Sequence, residues 1–361
     1  MEPYIFLVGF IFFFAIISQF CFPGSKAKQG AVFLILSFVY IYIFCSIRGF
    51  EVGRDVPGYI KMYEKTASVA WNNWDYVYFE NGYIALMKIC NMLKFTAREF
   101  FFVIYLIILF PVFLLIKNRS PYPLLSLTVY ICFQFFVFDL TGLRQAIGLS
   151  ICMLAYLVAT RTRDKHNLLL FVLLVLGASM FHKSALIFLC AYPVLKLPLN
   201  RKMIILYCIS VAICYLLNIA GVGAILSYFE KDHYEYSTDS SQQIGFFAIA
   251  LCMITVLAIW SYFHTDRSKQ LQVKYAANML LASMCLLFLF NGSVLLRSVM
   301  YYYFSMIISI PMFVSCLGDR KLRLMVSAGI IFVFVLFFFT NEVYTFDVSP
   351  YVIGEDLTPT R

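Results

Sequence analysis

The sequence predicts an all-α, polytopic membrane protein, and three observations carry that prediction. Hydrophobic residues fill 62% of the 361 positions and charged ones only 13%, a balance that would leave a soluble domain with too much apolar surface in water. Apolar runs long enough to cross a bilayer recur from end to end. The polar turns between alternate runs are basic, which is the asymmetry that orients helices in a membrane. Roughly 10–12 transmembrane helices are expected, with additional re-entrant or interfacial ones.

The first run, Ile5 to Phe22, has neither the basic start nor the small-residue cleavage site of a secretory signal, so a retained span over Pro3–Phe22 is expected. Lys26 and Lys28 mark the next turn, and Ala31–Ile47 is the second span. The longest polar stretch is a loop over 48–82, holding Arg48, Glu51, Arg54, Asp55, Tyr59, Tyr63 and Glu80. Segment 83–97 is apolar but short and interrupted by Lys88 and Asn91, which suits an interfacial or re-entrant helix better than a span. Phe100–Ile116 crosses. Leu124–Phe138 and Leu143–Thr160 cross as a hairpin with Asp139–Gly142 at its tip.

Asn167–Leu197 is too long for one span and too short for two, and it is basic at both ends: Arg161, Arg163 and Lys165 before it, Lys196, Arg201 and Lys202 after. Two short helices meeting at His182, a re-entrant pair over 167–197, reconcile these facts. Met203–Ile219 crosses next. A loop over 220–243 has an amphipathic start and the acidic run Glu230, Asp232, Glu235, Asp239. Ile244–Phe263, Ala276–Phe290, Ser298–Cys316 and Leu324–Phe339 complete a single transmembrane domain over 1–341, and 342–361 is a short tail.

The eleven cysteines sit mostly inside apolar runs, as Cys45, Cys132, Cys152 and Cys214 do. They read as small hydrophobes. There is no CxxC or CxxxH pattern, so no metal and no cofactor is expected. The net charge of +9 is spread over short loops and not gathered on one soluble face, which favours a lipid bilayer over nucleic acid as partner.

The turns at Lys26, Lys117, Arg161, Arg201, Arg267 and Arg320, with Lys196, hold sixteen of the 28 Lys and Arg residues but only three of the 19 acidic ones. The positive-inside rule therefore puts them in the cytoplasm. The same parity puts Arg48, Asp55, Glu80, Arg144, His182 and Arg297 together on the outer side. Arginine stays protonated there, and its planar fork binds oxyanions bidentately. Three arginines suggest a phosphate or diphosphate, or a leaving group gathering negative charge. The aromatic residues Trp71, Trp74, Tyr76, Tyr78 and Tyr301–Tyr303 suit sugar stacking or interfacial anchoring. No phosphate-cradling glycine motif is present, so any energy for synthesis would have to arrive in an activated, lipid-linked substrate.

Each residue also has a plainer reading. Arg144 could snorkel to headgroups, although Gln145 beside it and Gly142 before it favour a buried site. His182 could be a satisfied core histidine, and Arg297 an interfacial anchor. Arg48 and Asp55 could be a solvated loop pair, Glu80 a helix cap, and the Tyr301 run an aromatic belt.

Five stretches together are familiar: GRDVPGYIKMY (53–63), ENGYIALMKI (80–89), LRQAIGLSICMLAYLVA (143–159), FHKSALIFLCAYPV (181–194) and LLRSVMYYYF (295–304). They resemble the EpsG family, whose members look like Wzy-type polymerases of bacterial surface polysaccharide. The resemblance covers roughly Arg48 to Phe304. It implies a glycosyltransferase with a GT-C-type fold in the bacterial cytoplasmic membrane, working at the outer face. The implied substrates are a polyprenyl-diphosphate-linked oligosaccharide donor and acceptor, with a chain-length regulator and a flippase as companion proteins. Under this reading Arg144, Arg297, Arg48, Gln145, Tyr59, Glu80 and Tyr301 bind substrate. His182 is the expected base, Asp55 the competing one, and hydrogen bonding of His182 to the diphosphate a third option. The outer loops are short for a polymerase, so a glycan groove would be built largely by span ends.

Two other classes use similar residues. A lipid-linked glycan flippase or exporter would show internal repeats and mid-span charges, and neither is visible here. A membrane acyltransferase modifying surface sugars would need a histidine open to a cytoplasmic acyl donor, whereas parity puts His182 outside.

Overall fold

The computed structural model describes residues 2–74, 79–161, 166–222 and 243–354. Tyr76, Tyr78, Arg163, Lys165, the acidic run Glu230–Asp239 and the last seven residues lie outside the described residues. The chain is an all-α polytopic membrane protein. Its one extended contact among the described residues is an isolated antiparallel bridge between Arg48 and Ile353. Eight helices are long and apolar enough to cross a membrane, and three shorter apolar helices, Pro123–Cys132, Leu143–Ala159 and Asn167–Ser179, join them.

The first half consists of α1 (Glu2–Cys21), α2 (Lys26–Ile47), α3 (Val56–Ala67), α4 (Asn81–Met92), α5 (Ala97–Arg119), α6 (Pro123–Cys132), α7 (Phe135–Asp139), α8 (Leu143–Ala159) and α9 (Asn167–Ser179). A 3-10 stretch, Lys183–Cys190, leads into α10 (Ala191–Lys196) and α11 (Arg201–Ile219). After α12 (Gln243–His264) and α13 (Arg267–Phe290) come a second 3-10 stretch, Val294–Val299, then α14 (Met300–Tyr303), α15 (Met306–Cys316) and α16 (Arg320–Thr340). Helix starts follow local chemistry. Thr96 and Glu99 form a reciprocal capping box at α5, while Asn200 and Asp319 accept backbone N–H bonds at α11 and α16. The outward faces are apolar: Ile205, Leu216 and Ile219 of α11 and Leu324, Met325 and Phe332 of α16 are all exposed, as lipid-facing surfaces require.

At the centre stands α8, where fourteen of seventeen residues are buried. It packs on α5 and α9, and Ser150 on it donates to the Ile108 carbonyl at 2.8 Å. Asn167 Nδ2 donates to the Arg161 carbonyl at 3.0 Å, and Lys196 Nζ to the Ala159 carbonyl at 3.0 Å. Segment 167–196 therefore leaves the C-terminal end of α8 and returns to it. A non-helical turn among apolar helices must satisfy its backbone internally. Here Tyr302 donates to the Ile187 carbonyl (2.8 Å), and Asn278 Nδ2 donates to the carbonyls of Val194 (3.1 Å) and Leu197 (3.0 Å).

Two expectations from the sequence need correction. The run 124–138 is not one helix: α6 ends at Cys132 and α7 begins at Phe135, with Phe133 and Gln134 between them and Gln134 at φ 42°. Polar partners from distant segments stabilise the break, since Gln134 Oε1 accepts from the Tyr303 hydroxyl at 2.8 Å and its backbone N–H serves the Glu342 carboxylate. Nor are Tyr301, Tyr302 and Tyr303 a lipid-facing belt. All three are buried, with Tyr302 and Tyr303 spending their hydroxyls inside the bundle.

The tail after α16 folds back over the start of the 48–82 segment. Tyr4 donates to the Val348 carbonyl (2.7 Å) and Tyr351 to that of Phe44 (2.5 Å). Gly53 and Arg54 donate backbone N–H bonds to the carbonyls of Asp347 and Phe346, each at 2.9 Å.

Candidate functional site

Four separate segments meet at the N-terminal end of α8. Gly142 caps this helix, which places Arg144 in its first turn. The Arg144 guanidinium lies over the Phe79 ring, 4.5 Å from its centroid, and 5.9 Å from that of Tyr59. Nη1 binds Glu80 Oε2 at 2.6 Å, with the two side chains only 14% and 11% exposed. Nε is buried with no hydrogen-bond partner among the described residues. A buried donor left unsatisfied is costly and asks for an acceptor.

Glu80 joins two elements. Its second oxygen accepts the backbone N–H of Lys183 at 3.3 Å. Beside it, the Gly82 N–H donates to the Met180 carbonyl at 2.8 Å. The start of α4 thus clamps the turn that carries His182. A Cβ at Gly82 would lie 2.6 Å from the Met180 oxygen, so only glycine fits without moving one segment. Gly82→Ala should lower stability by about 1–3 kcal/mol through overpacking and should misplace His182. Thermal unfolding in detergent, read beside product formation, checks both effects.

His182 lies three residues beyond α9 and caps the 3-10 stretch in an extended conformation (φ −156°). Its Nδ1 accepts the Ser184 backbone N–H at 3.3 Å and lies 2.8 Å from Ser184 Oγ. Ser184 Oγ in turn shares a hydrogen bond with the buried Tyr301 hydroxyl at 3.4 Å. Gly148, one turn along α8 from Arg144, leaves room for both neighbours: a Cβ there would sit 3.1 Å from Tyr301 Oη and 3.6 Å from His182 Cβ. Burial pushes the His182 imidazole down to about 4. Glu80 opposes that fall, and Arg144 and Arg297 add to it.

Asp55 stands at the start of α3, with Pro57 in the first turn, and its backbone N–H donates to Thr141 Oγ1 at 3.2 Å. Burial raises its carboxyl above the ordinary value, while Arg297, Arg144 and Arg54 pull it back. Arg297 sits in the second 3-10 stretch, where its carbonyl accepts from Gln145 Nε2 at 3.0 Å. Arg144 and Arg297 therefore act electrostatically on both Asp55 and His182.

The residues expected from the sequence divide into two sets. Asp55, Tyr59, Glu80, Arg144, His182 and Arg297 come together. Gln145 and Tyr301 lie behind them as supports, both buried. Arg48 stands apart. It is fully buried, its Nε and Nη2 donate to the Tyr105 hydroxyl at 3.1 and 2.5 Å, and Nη1 donates to the Val52 carbonyl. Its own carbonyl takes a bond from Arg98 at 2.5 Å. Sequence reasoning missed Phe79 and Thr141, which carry no chemical signal of their own. It also missed the buried Asp139, which accepts from Tyr130 at 2.6 Å. Among the described residues, no three His, Cys, Asp or Glu side chains are grouped to hold a metal ion.

Fold and site together define a multi-pass helical membrane protein with a cluster of arginine, carboxylate and histidine side chains where short helices meet. The chain belongs to the EpsG family, a Wzy-type polymerase-like family whose model matches residues 31–353 and so includes every member of the cluster. No curated protein and no solved structure matches it. Membership suggests a polysaccharide polymerase-like function.

Proposed function

We propose that the protein is a membrane glycosyltransferase that polymerises surface polysaccharide. It would join oligosaccharide repeat units carried on undecaprenyl diphosphate, at the outer face of the bacterial cytoplasmic membrane. The observation that supports this reading is the meeting of Arg144 and Arg297 beside Asp55 and His182. An acceptor sugar hydroxyl attacks the anomeric carbon of the donor, the bond to the diphosphate breaks, and the electron pair leaves on the diphosphate oxygen. Arg144 and Arg297 meet that growing charge, and a base removes the acceptor proton. The reaction is read as metal-independent because the arginines perform the neutralising role. Tyr59 and Phe79 hold the guanidinium of Arg144, while Arg48 supports the loop from behind. A flippase and a chain-length regulator would supply and limit the substrate.

Glycolipid profiles of a deletion strain test this proposal. Single lipid-linked repeat units should accumulate on the outer leaflet while long chains vanish. Accumulation on the inner leaflet would indicate a flippase, and full-length chains lacking an acyl group would indicate an acyltransferase.

A further inference from the structure

We infer that His182 is a hydrogen-bond donor to the leaving diphosphate through Nε2–H, its tautomer fixed by Ser184, and that the base is Asp55. This rests on the glycosyl-transfer reading above.

A backbone N–H can only donate, and the Ser184 N–H points at His182 Nδ1 at 3.3 Å. Nδ1 must therefore offer its lone pair, because a proton there would set two N–H groups against each other. Ser184 Oγ lies 2.8 Å from the same nitrogen and 3.4 Å from the Tyr301 hydroxyl, and its single hydrogen serves one of the two, so the backbone N–H is the contact that sets the tautomer. Both contacts to Nδ1 are local. They arise because His182 occupies the cap position of the 3-10 stretch, where a side-chain acceptor normally takes the N–H two residues on. The neutral ring then carries its proton on Nε2. Burial and the neighbouring arginines keep the ring neutral against the opposing pull of the Glu80 carboxylate.

An imidazole with a protonated Nε2 and an occupied Nδ1 has no lone pair to offer an acceptor hydroxyl. It can, however, donate to an oxyanion without giving up its proton, and it adds to Arg144 and Arg297 on the anion. The acceptor proton needs another destination. Asp55, placed at the start of α3 by its backbone bond to Thr141, is a carboxylate within electrostatic reach of the same arginines, with its affinity for a proton raised by burial. The step balances: the acceptor oxygen bonds to the anomeric carbon, the diphosphate leaves with the bonding pair, and the hydroxyl proton passes to Asp55. Ser184 is a positioning residue that acts through His182.

Two measurements decide the matter, using full-length protein in detergent with polyprenyl-diphosphate-linked repeat units. Gln places its amide nitrogen close to where Nε2 stands and can donate but cannot act as a base. His182→Gln should stay within about tenfold of wild-type turnover, whereas His182→Ala should fall on the order of a hundredfold. Equal loss in both variants would overturn the inference. Nitrogen-15 spectra of histidine-labelled protein, with the His182 signal assigned by its absence in His182→Gln, should show Nε2 protonated and Nδ1 bare at neutral pH. The opposite tautomer would overturn it independently. If wild-type protein forms no polymer at all, the glycosyl-transfer reading fails instead, and the tautomer result stands apart from that failure.

Discussion

Arg144→Ala is expected to lower polymer formation about a hundredfold or more, because it removes an electrostatic contact to a leaving group in a site shielded from water. Arg144→Lys should be nearly as damaging. The guanidinium spends Nη1 on Glu80 at 2.6 Å and still has a buried, unsatisfied Nε to offer. Those two tasks need a planar fork, and an ammonium cannot stack on Phe79 while reaching in both directions. The loss should appear in turnover more than in the KM for donor, since charge on the diphosphate is greatest as it leaves. Thin-layer or gel analysis of polymer ladders, with protein level checked by blot, reads this result. Full ladders from both variants would remove Arg144 from the chemistry.

Asp55→Asn is the second large effect. The amide keeps the size of the side chain and can retain the backbone bond to Thr141, yet it cannot take a proton. Loss of a general base typically costs 10²- to 10⁴-fold. The pH dependence has a definite sign. Asp55 must be ionised to act, so activity should rise with pH through its carboxyl pKa, which burial holds above the ordinary carboxylate value. Arg297 is the largest of the influences that lower that pKa. Arg297→Gln should therefore move the acid limb of the kcat/KM profile to higher pH, as well as lowering its plateau. An acid limb that stays in place, or moves to lower pH, would separate Asp55 from Arg297.

Much of this arrangement is written locally in the chain. Arg144 is marked by its place in the first turn of an apolar 17-residue helix after Gly142. The return of segment 167–196 follows from its length and from basic residues at both ends. The cap at His182 is contained in the sequence His182–Lys183–Ser184. What could not be read depends on partners far along the chain. The break at Gln134 lies in a uniformly apolar run and is set by Tyr303, 169 residues away. Arg48 looks like a loop residue until Tyr105, 57 residues on, takes its guanidinium. Tyr301–Tyr303 have the composition of an interfacial belt, and only their buried hydroxyl partners make them interior struts. Period and charge alternation report on one helix at a time; they carry no information about which polar group a distant helix will present.

The most direct test of the central claim is polymerisation by the purified protein, given only polyprenyl-diphosphate-linked repeat units. The account predicts a ladder of longer glycans on lipid, with one polyprenyl diphosphate released for each new linkage. Repeat units that remain single, with no diphosphate released while the protein stays folded, would contradict it.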